Sequence, residues 1–141
     1  MIRAILAAVA AVLVATPSFA QETNELKLRA LDNFSHEATE CAAFYLISSG
    51  AHHNAYDSAS AERTKKMSDA LLLRAARVNA SDTVLANFMV SADEQQRMMD
   101  NDYDNFQVVV DRYEDRCQVV LDDYEGRLEY WMDQALRGLD P

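Results

Sequence analysis

Residues 99–124, "MDNDYDNFQVVVDRYEDRCQVVLDDY", admit two opposed readings, a carboxylate-rich loop or one long helix, and the choice decides the fold. Met99, Tyr103, Phe106, Val110, Tyr113, Cys117, Val120 and Tyr124 follow one another at alternating spacings of 4 and 3 residues, which is a heptad seam. Tyr103 and Phe106 keep that phase on both sides of Asp104, so the pattern predicts an uninterrupted helix through "DNDYDN", residues 100–105. On such a helix Asp100, Asp104, Asp111, Asp115 and Asp122 share a narrow arc roughly opposite the seam, a solvated acidic stripe.

The loop reading is a calcium-binding EF-hand. Asp100, Asp102 and Asp104 suit its positions 1, 3 and 5, and Asp111 falls at 12. Asn105, however, stands where the sharp turn needs glycine, and the last position normally holds a bidentate Glu. The helix is therefore the expectation, with Asp102, near the seam edge, the residue it explains least.

Working outward, "SADE" (residues 91–94) has the spacing of a capping box and is expected to start this helix, after a short helical stretch from Asp82. At the other end Asp122 and Glu125 repeat that spacing and Gly126 lowers helix propensity, which predicts a kink or break and then a shorter helix. Leu128, Trp131 and Leu136 are expected to face inward there, with Tyr130 on another side. Glycine and proline are scarce throughout, as befits a mostly helical chain. A first helix is expected from about 23 to 49, with Leu31, Phe34, Ala38, Cys41 and Tyr45 on one face. "SSGAHHNAYDS" (residues 48–58) reads as a loop, and Asp57 or Ser58 as the N-cap of a second helix reaching about Val78. The expected architecture is an all-α bundle of three to four mostly antiparallel helices.

The first twenty residues, "MIRAILAAVAAVLVATPSFA", stand apart from this domain. A basic Arg3, a short apolar run and a small-residue end make a secretory signal peptide, and the run is well short of the ~20 residues of a membrane span. One helical domain, 21–141, is expected in the periplasm or outside the cell, with no membrane anchor after cleavage. In that oxidising setting Cys41 and Cys117 are expected to form a disulfide tying the first helix to the long one, the two running parallel.

The formal net charge is −10, and it is lopsided. Residues 21–80 carry 8 acidic and 7 basic side chains, whereas residues 81–141 carry 15 and 5. Nucleic acid and anionic lipid are poor partners for such a chain, and a basic protein or peptide is a better one. Its expected dock is the face bearing Asp100, Asp104, Asp111 and Asp115, with Tyr130 and Trp131 as an aromatic anchor. Metal binding would have to use the Asp100 to Asp111 carboxylates, His36 with Glu40, one turn apart, or the adjacent His52 and His53, and the histidines lack the fixed third and fourth ligands a site requires. No paired Glu-x-x-His, P-loop, G-x-S-x-G or H-E-x-x-H motif is present, so no catalytic residue, resident metal or cofactor is expected. The expected role is that of an exported non-enzymatic protein acting by protein–protein interaction, as an inhibitor, immunity or accessory factor. The alternatives are a periplasmic metal-binding protein and a small acid-stress chaperone, which the chain matches in size, helicity and its single cysteine pair.

Overall fold

A computed structural model describes residues 19–139. The expected signal peptide therefore lies outside the described residues, apart from Phe19 and Ala20, which open the first helix. The order of elements is α1 (Phe19–Asn54), α2 (Ser58–Ala75), α3 (Ser81–Met98), a 3-10 turn (Tyr103–Asn105), α4 (Gln107–Asp122) and α5 (Tyr124–Arg137). The fold is all-helical, with five α-helices among the described residues rather than three or four. None of these helices is long and apolar enough to cross a membrane.

The long helix is the principal correction. α3 runs unbroken through "SADE", with Ser91 buried in its interior and not capping a start, and it ends at Met98. Asp100 and Asn101 then take positive φ values of 54° and 57°. The N–H of Asn101 reaches the Gln96 carbonyl at 2.9 Å and that of Asp100 the Arg97 carbonyl at 3.0 Å, the paired bonds of a Schellman stop. Asp and Asn enter the left-handed region more readily than other residues with a side chain, because their short polar groups bond locally. The Asp102 carboxylate accepts from the Asp104 N–H and starts the 3-10 turn, while the Asn105 amide donates to the Met99 carbonyl. Asp102, the residue the helical reading explained least, is thus a cap. Met99 is still buried and Tyr103 and Phe106 still pack on the core, so the seam faces inward although the backbone that carries it is a turn.

The other boundaries shift less. α1 continues to Asn54, taking in most of the expected loop, and within it Gly50 lets the Tyr103 hydroxyl lie against the backbone where a Cβ would collide. Asp57 caps α2 by accepting from the Ser60 N–H, as its position suggests. The break before α5 falls at Asp123, whose carboxylate accepts from the Gly126 N–H. In α5 Ala135 is the fully inward residue and Leu136 is exposed, against expectation.

Every other helix packs on α1. Ser49 donates to the Ala61 carbonyl at one end and the Asn79 amide to Asp32 at the other, so α2 runs antiparallel to α1. α3 returns alongside α1, with the Gln95 amide reaching the Glu40 carbonyl and Tyr103 arriving at Gly50. α4 then descends: Phe106 stacks on Phe44, Cys117 is bonded to Cys41, and Tyr124 sits edge-on to Phe34. α1 and α4 are therefore antiparallel, not parallel, because the turn at residues 99–106 adds a reversal that one continuous helix lacks.

α1 can be enclosed because its sequence is built of small and apolar residues on several faces. Ala30, Phe34, Ala38, Cys41, Ala42 and Ala43 have no exposed surface, and neither do Ser35 and Thr39. The Thr39 and Ser48 hydroxyls donate back to the His36 and Phe44 carbonyls, which satisfies them without an outside partner. The disulfide, with its Cα atoms 5.1 Å apart, closes a loop of 76 residues between the hub and α4. Loop closure of that length contributes about 4 kcal/mol in the chain-entropy account.

Candidate functional site

Three places concentrate chemistry: an acidic surface along the second half, a polar cleft between α1, α4 and α5, and an open groove between α2 and α3. The acidic surface is built from the turn and the outer face of α4. Asp100 and Asp104 lie in the turn, and Asp111 and Asp115 one helical turn apart on α4, so the four belong to a bent surface and not to one helical stripe. All four are exposed. Among the described residues between 81 and 139, Asp93 and Asp133 are the only acidic side chains that make an ion pair, each within its own helix. The rest, which include Asp102, Glu114, Asp122, Glu125 and Glu129, are exposed and have no cationic partner at ion-pair distance. The first half contrasts with this, since Glu37, Glu40, Asp57, Glu62 and Asp69 each stand beside an Arg, His or Lys. The field of the second half is therefore uncompensated.

The polar cleft is organised by Glu37, a carboxylate 3% exposed in the middle of α1. Arg127 of α5 grips it with two bonds, Nε to Oε2 at 2.7 Å and Nη2 to Oε1 at 2.6 Å, and the Trp131 indole N–H adds a third at 2.7 Å. A carboxylate in this position meets the requirement that a buried charge be paired and fully hydrogen-bonded. The hydrogen bond to Glu37 pushes the Arg127 guanidinium further up from its already high range. Arg127 also lies 3.9 Å from the centroid of the Tyr130 ring, which sits edge-on to Trp131. Tyr130 and Trp131 are thus adjacent, as an anchor would need, but the Trp131 N–H is committed to α1 and the pair fastens α5 to the hub. Beside them Asn33, His36, Glu40 and Arg116 complete the walls of a cavity of about 220 Å3.

The metal candidates do not converge. His36 and Glu40 line the same cleft, but the Glu40 carboxylate is paired with Arg116 at 3.0 Å. His52 Nδ1 stands 3.9 Å from the Asp57 carboxylate, and His53 lines a different cavity with Lys65 and Tyr103. Among the described residues no three His, Cys, Asp or Glu side chains are grouped to hold an ion.

Tyr45 shows how the acidic surface reaches the core edge. Burial, with the Asp122 and Glu114 carboxylates adding to it, pushes its hydroxyl up to about 12. Tyr113 is raised for the same leading reason, burial.

Two features escaped the sequence. Glu37 sits in "FSHEATECAAF", residues 34–44, where two acids about one turn apart among small residues resemble exposed positions. The large aliphatic residues of the α2–α3 groove, Leu73, Leu85 and Met89, are exposed by 60 to 61%, although a periodic pattern would assign them to the core. Their spacing of four in Leu85 and Met89 was the available signal. Comparison of the chain with family models, with curated proteins and with solved structures finds no match.

Proposed function

We propose that this is an exported, non-enzymatic helical protein that acts by binding a basic protein or peptide, in the manner of an inhibitor, immunity or accessory factor. The observation that supports this reading is the run of exposed, unpaired carboxylates over the turn and α4. Folding does not require the arrangement: Asp111 and Asp115 are like charges at i,i+4, which costs about 0.2–0.5 kcal/mol in helix stability. An uncompensated surface of one sign draws an oppositely charged partner and raises its rate of encounter.

The test is affinity capture from periplasmic extract with the protein as bait, run at low and high salt beside a variant in which Asp100, Asp104, Asp111 and Asp115 are changed to Asn. At about 1 M salt the screening length falls to ~3 Å, and a partner held by this surface should be released. The expected result is a basic protein retained at low salt, lost at high salt and bound at least ~10-fold more weakly by the variant, a difference of about 1.4 kcal/mol. A partner bound equally well by both proteins at both salt concentrations would remove the acidic surface from the account.

A further inference from the structure

Asn33, His36, Glu37 and Glu40 fall at i, i+3, i+4 and i+7 of α1, so helical geometry sets four polar side chains in one stripe along the hub. The stripe meets Arg116 of α4 and Trp131 of α5 in the cleft of about 220 Å3. Folding accounts for only part of this chemistry. Glu37 is held by Arg127 and Trp131, and Glu40 holds Arg116 Nη2 at 3.0 Å, so each carboxylate is neutralised by a guanidinium. What the walls have in excess is hydrogen-bond donors. Among the described residues four buried side-chain polar atoms have no hydrogen-bond partner, and two of them, Asn33 Nδ2 and Arg116 Nε, belong to the residues of this one cleft. An enclosed donor is unfavourable until an acceptor meets it. The Arg116 and Glu40 side chains are still 39% and 20% exposed, so this end of the cleft is open to solvent.

We propose that the cleft binds a short organic acid that carries a second acceptor oxygen. Its carboxylate goes to Arg116, its second oxygen accepts from the Asn33 amide, and its carbon chain lies against the Trp131 ring. The guanidinium engages Glu40 through Nη2 and keeps Nε for another acceptor, and a bond from a charged donor to a carboxylate is roughly twice as strong as a neutral one. Asn33 lies two helical turns from Glu40, so the oxygen that meets it belongs at the far end of the molecule from the carboxylate. Size sets the length of the chain: at about 30 Å3 for each water-sized group, the cavity takes roughly seven non-hydrogen atoms. This proposal is independent of the acidic surface and its basic partner, because no residue of that surface lines the cleft.

Titration of isotope-labelled protein with γ-hydroxybutyrate, followed by nuclear magnetic resonance at the Trp131 indole N–H and the Asn33 side-chain amide, tests this. Trp131 is the one tryptophan of the chain, so its indole signal is unambiguous. The expected result is a saturable shift of both signals with a Kd of about 10 mM or tighter. Butyrate, which lacks the second oxygen, should bind ~3- to 10-fold more weakly, and butanediol, which lacks the carboxylate, should give no saturable shift. Arg116→Lys keeps a cation beside Glu40 but has no Nε, and it should bind γ-hydroxybutyrate at least ~10-fold more weakly. Asn33→Ala should bind γ-hydroxybutyrate and butyrate alike, because the second oxygen has lost its donor. Wild-type shifts that never saturate, shifts of equal size with butanediol, or unchanged affinity in Arg116→Lys overturn the proposal. An Asn33→Ala protein that still prefers γ-hydroxybutyrate overturns the role given to Asn33 and, with it, the need for a second acceptor.

Discussion

Glu37 shows what one residue does for this fold. Removing the carboxylate in Glu37→Ala leaves Arg127 partly buried without its partner and deprives the Trp131 N–H of its acceptor. The expected loss is about 3 kcal/mol, toward the low end for a broken buried pair because Arg127 retains some access to water. Glu40→Ala, which breaks the more exposed pair with Arg116, should cost no more than about 1 kcal/mol. Urea unfolding of both variants separates the two cases, and equal losses would show that Glu37 has no special role. Tyr45 provides the corresponding pH test. Its hydroxyl, raised to about 12, donates to Gln118 Oε1 at 3.4 Å only while protonated. An unfolded tyrosine ionises near pH ~10, so the stabilising contribution is complete below that value and disappears as the pH rises toward 12. Tyrosinate absorbance should accordingly show a late phase that is reduced in Tyr45→Phe, with Tyr113, also raised by burial, contributing the remainder. A titration of the wild type complete by about pH 10.5 would contradict the assignment.

At the scale of elements, the turn at residues 99–106 separates what the sequence discloses from what it hides. Periodicity found α4 and its seam because the apolar positions do face inward: Tyr113, Cys117 and Val120 are buried as expected. It missed the reversal because the turn happens to return the chain in the same phase, so spacing alone could not distinguish a helix from a Schellman stop followed by a 3-10 turn. The chemical signal was the density of Asp and Asn, residues that bond their own backbone and tolerate positive φ. The same logic applies to the end of α1, where Tyr56 adopts a φ of 60° and is 95% exposed. A tyrosine there carries the steric cost of the left-handed region with little packing in return. Tyr56→Gly is expected to raise stability by about 0.5–1 kcal/mol, the relief of strain exceeding the added freedom of the unfolded chain. A thermal melt that shifts downward in this variant would mean that Tyr56 makes a contact worth more than its strain.

For the whole molecule, the cysteine pair was legible from compartment logic and the all-helical class from the scarcity of glycine and proline, whereas the arrangement around α1 was not. An amphipathic pattern implies one buried face; α1 buries several, through Ala, Ser and Thr positions that carry little hydrophobic signal. The acidic surface was legible as composition but not as geometry, since its bend at Asp100 and Asp104 depends on the turn. The α2–α3 groove required knowledge that two neighbouring helices both use α1 and neglect each other, which no local pattern encodes. All of these features depend on α1 being the enclosed hub, and native-state hydrogen exchange resolved by residue tests that most directly. The slowest amides should lie in α1 between Phe34 and Ile47, exchanging only through global unfolding, with α2, α3 and α5 opening at lower free energy. Exchange in that stretch of α1 as fast as in the surrounding helices would contradict the account.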